Sequence, residues 1–230
     1  MKRSRKFLWF AVPLLLLVAL PFPVASKLEE RDTFCIACHT APEEAYHQRA
    51  QAAASGDTGI PADLASSHYG SGEAFRCIDC HRGDDSPAHR WQTFLLGARD
   101  ALTFISGQGD ETVEKGTAGA PELLNAGCLK CHAETLLELG FNNHYHNQLE
   151  AARLLAELGA KPFMPEGGIQ GDLFVTLGES GSTIGCVDCH QGHVTLEAGE
   201  LTAFLDVDHV VFPACIVCHE ETGHGPLELR

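Results

Sequence analysis

The longest uncharged apolar run is Phe7–Val24, FLWFAVPLLLLVALPFPV, interrupted only by Pro13, Pro21 and Pro23. It follows MKRSRK, whose four cations are the only charges in the first 26 residues. Eighteen residues lies near the lower limit of roughly 17 for a membrane-crossing helix. A retained anchor and a cleaved signal peptide share this basic-then-apolar start, and Val24-Ala25-Ser26 would make a mediocre cleavage site. The length favours the anchor. Either way the basic tail stays inside and residues 27–230 are exported, in a bacterium to the periplasmic side of the cytoplasmic membrane.

Beyond residue 26 the pattern is helical. Trp91, Phe94, Leu95, Ala98, Leu102 and Ile105 recur on one face of a helix over 89–105. Residues 35–54 read as one helix, and 122–139 and 144–158 as two more joined near Gly140. Segments 55–72, 106–121, 165–171 and 178–185, rich in Gly, Pro or Ser, read as loops. Only Leu173–Leu177 and Val207–Phe212 resemble strands. The expectation is a mostly α fold with extensive loops.

Composition sharpens this. Residues 27–230 hold 46 Leu, Ile, Val and Phe in 204 positions, barely above the ~20% below which a charged chain tends to stay disordered. Something besides aliphatic side chains must fill the interior. The same segment carries 12 basic and 31 acidic residues. That field repels phosphate backbones and excludes nucleic-acid binding, while suiting a basic partner protein.

The ten cysteines form five pairs, each followed at once by histidine: Cys35-Ile-Ala-Cys38-His39, Cys77-Ile-Asp-Cys80-His81, Cys128-Leu-Lys-Cys131-His132, Cys186-Val-Asp-Cys189-His190 and Cys215-Ile-Val-Cys218-His219. This is the attachment sequence of c-type haem. Two thiols three apart share a helical face and reach the two vinyl groups of one porphyrin, while the adjacent histidine reaches the iron. A disulfide framework does not require a histidine after every pair. Zinc knuckles need a second cysteine pair or two histidines at tetrahedral spacing. Five motifs that consume every cysteine predict five covalent haems, with His39, His81, His132, His190 and His219 as proximal ligands and the haem stack as core.

Eight histidines remain as distal candidates: His47, His68, His89, His144, His146, His193, His209 and His224. At least three must be spare. Met1 and Met164 are the only methionines, so at most one iron is His/Met ligated. That argues for low-potential bis-His or open irons. In NNHYHNQ, His144 and His146 are two apart and face different directions on a helix, so one is expected to ligate haem 3 or haem 1 and the other to be spare.

A basic tail, one apolar helix, a short junction and then FCIACH resemble the membrane-anchored NapC/NirT-type cytochromes c, which pass electrons from quinol to periplasmic partners. The resemblance spans roughly residues 1–200. It implies crossed ligand pairs: His193, in CVDCHQGHV, opposite His81 on haem 2, and His68, in SSHYGSGEAFRCIDCH, opposite His190 on haem 4. GARDALTFISG resembles the stretch lining the quinol site near haem 1, with Arg99 and Asp100 as its polar residues and His89 nearby. The division expected is 1–26 tail and anchor, 27–204 four-haem domain, and 205–230 fifth-haem extension. Thr40-Ala41 replaces the methionine usual after the first motif, leaving His47, or an open or carboxylate-occupied face, for haem 1. The fifth motif is outside the four-haem pattern, with His209 or His224 as its second ligand.

The resulting expectation is a membrane-anchored relay. Its partners would be the bilayer, a membrane quinol such as menaquinol, and a periplasmic redox protein or terminal reductase. A soluble shuttle and a subunit of a larger respiratory complex are the alternatives. A small reductase of nitrite or hydroxylamine ranks below them, because eight further histidines make full coordination easy.

Overall fold

The computed structural model describes residues 21–38, 43–57, 59, 61–108, 121–140, 143–165, 183–194, 205–223 and 225. Most of the expected anchor, together with His39, His224 and Leu173–Leu177, lies outside this set. Among the described residues no helix is long and apolar enough to cross a membrane.

The fold is mostly helical. In chain order the helices are α1 (Pro21–Leu28), α2 (Asp32–Cys35), α3 (Glu43–Ala54), α4 (Leu64–Gly70), α5 (Cys77–His81), α6 (Pro87–Ile105), α7 (Pro121–Leu137), α8 (His144–Asn147) and α9 (Glu150–Glu157). A 3₁₀ turn at Cys186–Asp188, a π-helical turn at Val207–Val211 and α10 (Phe212–Thr222) follow. Among the described residues there is no strand, and Glu138 and Phe163 form an isolated parallel bridge.

Local chemistry sets the boundaries. Asp63 caps α4 by accepting from the Ser66 amide at 2.9 Å. That cap starts a helix inside the expected 55–72 loop, the kind of N-terminal signal a Gly/Pro/Ser count overlooks. Ser86 caps α6 and Pro87 opens it, so this helix matches the expected 89–105 within two residues. α10 ends on Gly223, whose φ of 66° is the left-handed C-terminal conformation that glycine takes without strain. The expected helix over 35–54 is two pieces, α2 and α3. The helix over 144–158 is likewise broken between α8 and α9. Val207–Phe212 is helical, not a strand: Asp206 accepts from the His209 amide at 3.0 Å and turns the chain into the π segment.

The aliphatic core is thin, as the composition predicts. α7 and α9 bury one small cluster, Leu136, Ala151 and Ala152, flanked by Leu129, Leu149 and Leu155. α3 packs on α4 through Tyr46, Ala50 and Ala53, and a Cβ on Gly70 would just reach van der Waals contact with Ala53. Between them Arg49 pairs with Asp63, which is 1% exposed, and donates to the Val194 carbonyl at 3.0 Å. The other buried hydrophobic residues among those described are Tyr69, Ile78, Leu137 and Val194.

Candidate functional site

None of the ten cysteines is in a disulfide. Consecutive motifs are stitched together by named contacts. Asp32, three residues before Cys35, accepts from the Cys77 amide at 3.1 Å and from the Tyr69 hydroxyl at 2.6 Å. Lys130, inside the third motif, donates to the carbonyl of Asp79, inside the second, at 2.6 Å. Gly127 on α7 lies so close to the second motif that a Cβ there would sit 2.8 Å from the Cys80 carbonyl oxygen. Asn125 accepts from the Cys186 amide at 3.1 Å, tying α7 to the fourth motif. Glu221 on α10 accepts from the Thr183 amide and hydroxyl at 3.1 and 2.6 Å, tying the fourth motif to the fifth. Each of the five motifs is therefore tied to the next along the chain.

The histidines meet in twos. His81 faces His193 with ring centres 6.1 Å apart and planes 11° from parallel. His190 faces His146 at 6.3 Å and 5°. His132 and His68 are 6.0 Å apart at 72°, and His219 and His144 are 6.3 Å apart at 47°. Each pair joins one motif histidine to one outside the motifs. Two imidazoles on opposite faces of one metal ion, at about 2.0 Å per bond and about 1.1 Å from nitrogen to ring centre, have centres about 6.2 Å apart. The four separations match that span. Among the described residues no three His, Cys, Asp or Glu side chains gather as a metal cage. Two ligands suffice for an iron whose other four positions are filled by porphyrin nitrogens, so these residues fit c-type haem.

Neighbours hold the non-motif rings. His68 donates from Nδ1 to the Leu64 carbonyl, 2.8 Å away, and stacks on Phe75. His146 donates from Nδ1 to Asn143 Oδ1 at 2.7 Å. Such bonds leave Nε2 free to ligate and fix the ring's orientation. His193 stacks on Tyr46 at 4.6 Å with planes 3° apart. Its loop is pinned where the Leu64 and Ala65 amides donate to Gln191 and Gly192. Asn147, fully buried, donates to the Leu136 carbonyl at 2.7 Å and anchors α8 to the end of α7.

Burial, reinforced by neighbouring imidazoles, lowers the pKa of His146 and His190. Both are neutral near pH 7, the form that ligates metal. Burial pushes the Cys77 and Cys80 thiols up to about 12 and about 11. A hydrogen bond from Cys186 instead lowers Cys128.

The structure brings some of the expected histidine partners together and not others. His81 and His193 meet as expected. His68 faces His132 rather than His190, whose partner is His146. His144 and His146 do point in different directions from one helical turn, and each meets a motif histidine. The fifth-motif ring His219 faces His144. His209 is 84% exposed and bonds Asp206 at 3.1 Å. His47 is half-buried on α3 beside Tyr46, and its expected partner His39 lies outside the described residues.

The expected quinol residues do not converge. His89 pairs with Asp84 at the start of α6. Asp100 is eleven residues further on, about 16 Å along the helix axis at 1.5 Å per residue, and Arg99 is exposed. One ring cannot touch His89 and Asp100 together. Sequence reasoning missed Asn143, Asn147, Asn125, Asp32, Tyr46 and Phe75. The asparagines bracketing HYH were the one legible signal, since Asn readily bonds local backbone.

No protein-family model, curated protein or solved structure matches the chain.

Proposed function

We propose that the protein is a five-haem c-type cytochrome of the NapC/NirT kind, relaying electrons from membrane quinol to a periplasmic redox protein. The observation that carries the reading is the set of four histidine pairs, each one motif histidine facing one other at the separation of two axial ligands. A covalent haem supplies a one-electron iron couple, and its attachment sites here run in chain order from the N-terminal end to the C-terminal extension. His/His ligation suits low-potential traffic.

The membrane end is inferred from α1 and α6. Phe22, which ends the apolar run but two residues, packs against Trp91 and Phe94 of α6 at 6.2 and 5.2 Å. α6 exposes Leu95, Leu96, Leu102, Phe104 and Ile105. These exposed apolar side chains would rest on the bilayer. A quinol entering there would meet Asp100, half-buried on α6, as proton acceptor. His89 is too far away to share that role. The acidic body would steer a basic partner to the distal end.

The test uses full-length protein with haems attached, in detergent under anaerobic conditions. Mass should show five haems, and a menaquinol analogue should reduce them rapidly. Asp100→Asn should slow that reduction sharply. Five haems reducible by dithionite but not by quinol would favour the shuttle or complex-subunit reading. Fewer than five would overturn the cytochrome assignment.

A further inference from the structure

The four histidine pairs differ in one respect that the attachment motifs share no trace of: the angle between ring planes. Resting on the haem reading above, we infer that Phe75 is a positioning residue that turns His68 crossways to His132, so that the third-motif iron is electronically distinct from the second- and fourth-motif irons.

The geometry is specific. The His81–His193 and His190–His146 planes are 11° and 5° from parallel, whereas His132 and His68 cross at 72°. His68 is held from two directions. Its Nδ1 donates to the Leu64 carbonyl one helical turn back, which fixes where the ring edge points. Phe75, from the segment entering the second motif, stacks on its face at 4.6 Å and 26°, which fixes rotation about that edge. Phe75 is itself braced edge-on by Tyr69, 5.7 Å away at 74°. Tyr69 is anchored through its hydroxyl to Asp32. His193 is held differently: Tyr46 lies parallel to it, and that stack leaves it parallel to His81.

The consequence follows from orbital symmetry. Each imidazole donates π density into the iron d orbital perpendicular to its own plane. Parallel rings act on the same orbital and split the pair widely. Crossed rings act on both and leave them nearly degenerate. A ferric low-spin iron with parallel rings therefore gives a rhombic electron paramagnetic resonance spectrum. With crossed rings it gives a spectrum dominated by one large g value. Ring orientation belongs with ligand identity and hydrogen bonding among the levers by which a protein tunes such a centre.

The experiment is low-temperature electron paramagnetic resonance of the oxidised, full-length holoprotein, with haem number measured by mass on the same sample. The wild type should show rhombic signals together with a large-g component. His68→Met should remove one haem's worth of that component. Phe75→Leu should convert it towards the rhombic form without changing haem number, Phe75→Tyr should retain it, and Tyr46→Leu should leave it intact. Five haems with rhombic signals alone would overturn the inference while leaving the cytochrome reading in place. So would a large-g component that survives His68→Met or is unmoved by Phe75→Leu. Should Phe75→Leu lose haem, the wild-type and His68→Met spectra decide the matter. Fewer than five haems in the wild type would overturn the cytochrome reading itself, and with it this inference.

Discussion

His144 and His146 show how one helical turn can serve two places. Two residues apart on α8, they diverge by about 160° at 100° per residue short of a full turn, and each meets a motif histidine from a different part of the chain. His144→Ala and His146→Ala should therefore each produce one high-spin, five-coordinate iron in the visible spectrum. His209→Ala, on an exposed side chain, should produce none. Asn143 adds a further control. Its Oδ1 accepts from His146 Nδ1 and increases the ring's donor strength, which favours the ferric state. Asn143→Leu should raise the midpoint potential of one iron in a redox titration and leave the others in place.

The elements are held by polar and steric detail more than by aliphatic packing. Arg49 on α3 pairs with a fully buried Asp63 at the head of α4 and reaches the carbonyl of Val194, next to His193. Arg49→Leu would strand that carboxylate in the interior, at a cost of about 3–5 kcal/mol. A lower unfolding midpoint, with loosened ligation at the second motif, is the expected result. On α7, Gly127 allows the second and third motifs to touch. The added methyl of Gly127→Ala would collide with the Cys80 backbone, not a side chain that could swing aside. Such overpacking costs about 1–3 kcal/mol, measurable by thermal denaturation. The 3.6-residue periodicity made α6 legible. It did not show the break between α8 and α9, nor α4, because caps and buried Asn contacts decided those.

For the whole molecule, the linkage of each motif to the next makes the C-terminal extension separable in one sense. His219 is the ring that faces His144. Removing residues 205–230 should leave a chain with four haems and a three-to-three account of the remaining pairs: His81 with His193, His132 with His68 and His190 with His146 all stay six-coordinate. Haem stoichiometry by mass checks this. A second iron turning high-spin on truncation would show that the extension supports more than its own site. The acidic excess of residues 27–230 predicts that association with the basic redox partner proposed above weakens as salt rises, since exposed charges are screened within about 8 Å at physiological ionic strength.

What the sequence determined by itself is what its adjacent residues can do. Two cysteines and a histidine within one helical turn form the same motif wherever the chain goes, so the five motifs, the scarcity of methionine and the thin aliphatic packing of the described residues were all legible. The pairing of the histidine rings was not. The partners are 112, 64, 44 and 75 residues apart for His81–His193, His132–His68, His190–His146 and His219–His144. No local periodicity connects positions so distant. Only the packing of α3 on α4, the approach of α5 to α7 across Gly127, and the Asn-held turn of α8 bring each ring to its counterpart and set the angle at which they meet.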